Sequence, residues 1–201
     1  ATYADSTDLS ASGVADALVT QLNFTRTQAD DFSTTWEVLS QQSNTLSGFS
    51  AALFRNRLTG ETVFAIAGTE FGEQGWLGVD LVEADGVQLV GIGLAYEQII
   101  DMYNYWQKLQ SPTAGLVKQA KLTYVTEAEA LQLNPSSLIR LPDTPDDLPS
   151  QVQRNYLYIQ IVEVPDIGLG MAEYTGLLAV TGHSLGGHLA SAFSRLFDTP
   201  A

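Results

Sequence analysis

A chain of 201 residues that is 45% hydrophobic and 16% charged can bury a substantial core, which excludes intrinsic disorder. Its formal net charge of −14 disfavours anionic membrane surfaces, and no nucleic acid is expected as a partner. The absence of cysteine excludes disulfides, thiol catalysis and thiolate metal sites, and no apolar run approaches the roughly eighteen residues of a membrane span. The chain starts Ala1-Thr2-Tyr3-Ala4-Asp5, without methionine, charged n-region or apolar h-region. That reads as a processed, secreted chain, although a cloned fragment would look the same.

Residues 1–10 are polar. Ser12 is expected to cap a first helix carrying Val14, Ala17, Leu18 and Leu22. Asn23-Phe24-Thr25 matches a glycosylation acceptor, a pattern short enough to arise by chance. Thr27, with Asp30 three residues on, reads as the capping box of a second helix. Phe32, Trp36 and Leu39 then share a face of that helix. Residues 44–48 carry turn chemistry. Residues 49–57 and 62–67 read as an antiparallel hairpin turning at Leu58-Thr59-Gly60-Glu61, and its second strand leads to a central position. That strand ends at Gly68-Thr69-Glu70.

Residues 71–78 then form a glycine-rich loop with Phe71 and Trp76, able to move. Residues 79–90 are ambiguous between a helical turn and a strand, with 87–90 as an edge strand broken by Gly91 and Gly93. A long helix follows, with Ala95, Ile99, Met102 or Tyr103, and Trp106 on one stripe, ending before Ser111-Pro112. Its aromatics Tyr96, Tyr103, Tyr105 and Trp106 read as core and snorkelling surface rather than as a ligand box. Between residues 113 and 165 the organisation loosens. Residues 121–125 suit a strand, 127–133 a short helix and 156–164 a strand, whereas 134–149 has linker composition. No internal repeat is visible.

The stretch around which the chain is organised is Gly182-His183-Ser184-Leu185-Gly186-Gly187-His188. An apolar run suited to a buried strand precedes it, Gly176-Leu177-Leu178-Ala179-Val180-Thr181, and residues 189–197 carry helical spacing. Strand, Gly-x-Ser-x-Gly, helix is the context of a nucleophile elbow, which makes Ser184 the candidate nucleophile. The alternative is a glycine-rich turn whose serine only caps the helix. A serine nucleophile needs a base, an acid to orient it and donors for the oxyanion. The Leu185 amide is one donor by construction, and Thr69 at the end of the 62–67 strand offers a second. His183 and His188, the two histidines present, both lie inside the motif, where neither is expected to reach the serine hydroxyl.

Residues 178–189 resemble the elbow of the class 3 lipases, the fungal-type triacylglycerol lipases and their bacterial relatives, in the α/β-hydrolase superfamily. Val63-Phe64-Ala65-Ile66-Ala67-Gly68-Thr69-Glu70 resembles that family's strand and oxyanion turn. Trp76 followed by Asp80 and Leu81 resembles its lid tryptophan and the aspartate after it. Val90-Gly91-Ile92-Gly93-Leu94-Ala95-Tyr96 resembles its His-x-Gly-Phe segment. The resemblance covers about half of the chain, residues 36–110 and 176–197. It implies an α/β fold with a mostly parallel central sheet and helices on both faces. Ser184 would be the nucleophile, Thr69 and Leu185 the oxyanion donors, and Asp80 the support of the Thr69 hydroxyl. Phe71, Trp76 and Leu77 would form a lid opening at an oil–water interface.

The sequence departs from the family at Ala67, where arginine is common, at Gly91, where histidine stands, and at His188, where a small residue is usual. One extra residue separates Trp76 from Asp80. In this fold acid and histidine follow the serine, and both are expected beyond Ala201, so residues 1–201 read as the N-terminal portion of one α/β-hydrolase domain with an insertion at about 111–165. The expected activity is cleavage of lipid esters through an acyl-enzyme, without cofactor or metal, in partnership with the C-terminal remainder of the same enzyme. A phospholipase or polyester hydrolase competes within that class. A non-catalytic binding or structural module that retains the elbow is the alternative outside it.

Overall fold

A computed structural model describes residues 8–68, 87–133, 138–140, 155–177 and 179–200. The chain divides into two compact units, Ala1–Ala84 with Ala172–Ala201, and Asp85–Met171. The described residues are a mixture of α and β structure with strand pairs of both orientations.

The first unit opens with α1 (Ala11–Leu22) and α2 (Arg26–Thr35). Ser10, not Ser12, caps α1, because the Ser10 hydroxyl accepts the Gly13 amide at 3.2 Å. The expected buried positions Val14, Ala17 and Leu18 do lie inside. Helix α1 ends at Asn23 in the left-handed conformation, which leaves Phe24 as a single connector before the next cap. The capping box of α2 is therefore Thr25 with Gln28, two residues ahead of Thr27 and Asp30. Asp30 instead meets Arg26 one turn away, at 3.0 Å.

Trp36 and Leu39 are not helical. The chain turns extended at Trp36 (φ −115°, ψ 140°) and continues as β1 (Trp36–Gln42). The residues from Thr34 to Val38 include β-branched and aromatic side chains that favour a strand once a partner strand is present. That partner is β2 (Ala51–Asn56), whose ladder with β1 slips between Val38 and Ser40. A hydrogen-bonded turn around Leu46 and Gly48 joins the two strands. Strand β3 (Thr62–Ile66) returns antiparallel to β2, as the hairpin reading expects.

β7 (Ala179–Gly182) joins the other side of β3 in parallel, so the sheet order is β1-β2-β3-β7. Among the described strands parallel pairing is confined to β3 and β7, rather than predominating. α5 (Leu185–Phe197) follows. Helices cover both faces of this sheet. Phe54 and Val63 are cross-strand partners on one face, where the Phe54 ring meets Phe32 of α2 edge-on at 5.8 Å. Phe64, next along the strand, points to the opposite face and packs on Phe193 of α5 at 5.0 Å. Phe64 and Phe193 are both fully buried, and each such ring removes a large apolar area from water.

In the second unit, α3 (Val87–Gln110) is one continuous helix. The expected edge strand at residues 87–90 is helical, and Gly91 and Gly93 lie within the helix instead of breaking it. Each glycine costs about 1 kcal/mol against alanine in a helix, too little to outweigh the propagated hydrogen bonds around it. Met102, Tyr105, Trp106 and Leu109 are buried, while Tyr96 and Tyr103 are partly exposed, so the aromatics of α3 divide between core and surface.

The described residues between 113 and 165 carry more regular structure than the composition of the region implies. β4 (Val117–Thr126) and β6 (Asn155–Val164) pair antiparallel over ten residues each, and the short α4 (Glu127–Ala130) follows β4. Within the expected linker, β5 (Leu138–Arg140) adds an edge strand to β6. The Asn104 carboxamide of α3 both accepts from the Ala120 amide (2.7 Å) and donates to the Ala120 carbonyl (2.8 Å). It thereby pairs backbone groups that the edge of β4 would otherwise leave open.

Candidate active site

β3 and β7 run in register, with Ile66 opposite Gly182, so they deliver their C-terminal ends to the same edge of the sheet. At that edge β7 passes into α5 through two residues, His183 and Ser184. Ser184 has φ 55° and ψ −126°. Two of the other positive-φ residues, Asn23 and Asp198, are helix C-caps with ψ 28° and 47°, inside the left-handed well, whereas Ser184 lies outside it. Such backbone costs about 1–3 kcal/mol and persists only where its surroundings dictate it.

Those surroundings are specific. The Gly186 amide donates to the His183 carbonyl at 3.0 Å and the Gly187 amide to the Ser184 carbonyl at 2.9 Å, which closes the turn. A Cβ on Gly182 would stand 2.2 Å from the Gly186 carbonyl oxygen, and one on Gly186 would stand 2.5 Å from that of Ile66. Both contacts are backbone to side chain, so no rotamer change relieves them. Gly187 differs: its nearest neighbour would be the Gly182 carbonyl oxygen at 3.5 Å, an ordinary contact. Gly187→Ala is expected to be neutral or to stabilise by up to about 1 kcal/mol in urea unfolding, since alanine is the better helix former.

Ser184 occupies the N-cap position of α5, yet its side chain makes no capping hydrogen bond. The reading of this serine as a helix cap is not met. Its hydroxyl is exposed at the sheet edge, and among the described residues no side chain is hydrogen-bonded to it. The Leu185 amide is the first of α5, where no intrahelical acceptor exists, and it lies at the positive end of a 13-residue helix.

The exit of β3 abuts the same turn. A Cβ on Gly68 would lie 2.8 Å from the His183 carbonyl oxygen and 3.5 Å from the Ser184 Cβ. Ala67 beside it is buried, and its amide is held by the Ser50 carbonyl at 3.0 Å. The structure thus brings the residue before Thr69 against Ser184. Thr69 itself, Asp80 and the lid residues Phe71, Trp76 and Leu77 lie outside the described residues.

His183 is exposed, and its ring has no described partner. His188 turns back along the helix, with Nδ1 3.4 Å from the Ser184 carbonyl oxygen. The sequence reading places neither histidine within reach of the Ser184 hydroxyl and gives this ring no contact with the serine's backbone. The signal it passed over is the tilt of helical side chains toward the N-terminus, which sets residue i+4 over residue i. Among the described residues, no helix is long and apolar enough to cross a membrane, and no three or more acidic or histidine side chains gather as a metal site would require. No family model, curated protein or solved structure matches the chain.

Proposed function

We propose that the chain carries the nucleophile and oxyanion half of a serine acyl hydrolase with an α/β-hydrolase fold, acting on lipid esters. The observation that carries the reading is Ser184: strained, exposed and free of any capping role, at the junction of a parallel strand and a helix. A serine that served only the turn would gain by relaxing or by bonding its helix. Helices on both faces of the first sheet and the closeness of Gly68 to Ser184 support the same reading.

In the proposed reaction the Ser184 hydroxyl attacks the ester carbonyl, and its proton passes to a base. The Leu185 amide stabilises the oxyanion together with Thr69, whose hydroxyl Asp80 would orient. The alcohol leaves with a proton returned by the base, and water then releases the acid from the acyl-enzyme. The reading requires a base and an orienting acid, which no described residue brings to the Ser184 hydroxyl. Specificity for lipid over small soluble esters rests on the resemblance to the class 3 lipases and on Phe71, Trp76 and Leu77 as a lid. Hydrolysis of p-nitrophenyl esters and of emulsified triacylglycerol by the full-length gene product tests the proposal. Turnover of both is the expected result. Binding of either without turnover would favour the non-catalytic module.

A further inference from the structure

We propose that His188 is a positioning residue for the oxyanion donor, acting through the peptide group between Ser184 and Leu185. The inference rests on the reading of Ser184 as nucleophile. That peptide group holds the Ser184 carbonyl oxygen at one end and the Leu185 N–H at the other, in one rigid plane. A group bonded to the oxygen therefore governs the direction and the strength of the N–H. His188 is such a group, with its Nδ1 3.4 Å from the oxygen. A carbonyl oxygen only accepts, so the contact requires a proton on Nδ1. The Gly187 amide binds the same oxygen at 2.9 Å, and His188 adds a side-chain donor to that backbone one.

Two consequences follow for the reaction. Donors on the carbonyl draw electron density from the amide and sharpen its N–H as a donor, by roughly 10–30% per bond. They also resist rotation of the plane that follows the strained Ser184 backbone. The oxyanion exists only at the transition state, so the benefit falls on kcat and not on substrate binding. Losing a whole oxyanion donor lowers kcat about 100- to 1,000-fold. About 10–30% of that effect, on a logarithmic scale, is about two- to eightfold. Water competes for the exposed ring at this long contact, which keeps the effect modest.

The test is a series in the full-length gene product with a soluble p-nitrophenyl ester. His188→Ala removes ring and donor, His188→Phe keeps a ring without a donor, and His188→Asn keeps a donor at the same distance from the backbone. His188 is exposed, so none of these opens a core cavity. Expected are a two- to eightfold lower kcat in His188→Ala and His188→Phe with KM unchanged, and recovery of most of the loss in His188→Asn. Affinity for an alkylboronate transition-state analogue should fall by the same factor as kcat. Equal kcat across the series, a change confined to KM, or recovery by phenylalanine instead of asparagine would overturn the proposal. Ser184→Ala separates the two layers. Full activity in that variant overturns the nucleophile assignment and the His188 proposal with it. A silent His188 series in an enzyme that Ser184→Ala inactivates overturns the His188 proposal alone.

Discussion

Ser184→Ala is expected to lower kcat/KM for ester hydrolysis about ten-thousandfold or more, without unfolding the protein. Removing the nucleophile removes the covalent route, and what remains comes from the oxyanion donors and binding alone. Stability should hold, because the hydroxyl is exposed and has no described partner to lose. A companion variant tests the strain itself. Ser184→Gly puts at φ 55° the residue that tolerates it best, and should be inactive yet more stable by about 1 kcal/mol. Urea unfolding of the two variants beside the parent measures this. A Ser184→Gly protein less stable than Ser184→Ala would contradict a strained nucleophile.

The second large effect is structural. Gly182→Ala drives a Cβ to within 2.2 Å of the Gly186 carbonyl oxygen, and β7, the elbow and α5 cannot all keep their places. A loss of about 3 kcal/mol is expected, at the upper end of overpacking costs. In a thermal scan that corresponds to roughly 6–12 °C for a chain of this size. Gly187→Ala, five residues on and in the same turn, is the internal control. If both variants lost stability equally, general glycine flexibility would explain the motif better than the elbow geometry does.

The parts of the fold legible in the sequence are those in which local chemistry and tertiary partner agree. Gly182, Ser184 and Gly186 announce the elbow because few residue types survive those close approaches. The hairpin of β2 and β3 was visible because Leu58-Thr59-Gly60-Glu61 fixes its turn and Phe64 to Ile66 its buried run. The structure departs from the sequence expectation where two local signals of similar strength compete. Thr25 with Gln28 and Thr27 with Asp30 both fit a capping box, and only the left-handed Asn23 selects the first. Trp36 fits the face of a helix as well as the start of a strand, and pairing with Asn56 in β2 decides it. Gly91 and Gly93 looked like breakers because propensity is local while helix α3 is cooperative. β5 was hidden because three residues carry almost no periodicity, and its pairing with β6 is what makes it a strand. The His188 contact was legible in principle from its spacing to Ser184 alone.

Covalent labelling bears most directly on the central claim that Ser184 is an activated nucleophile. The full-length gene product, treated with a fluorophosphonate probe and digested, should yield one modified peptide, with the adduct on Ser184. The Ser184→Ala protein should yield none. An adduct on another residue, labelling that survives the substitution, or no labelling of an enzyme that hydrolyses esters would contradict it.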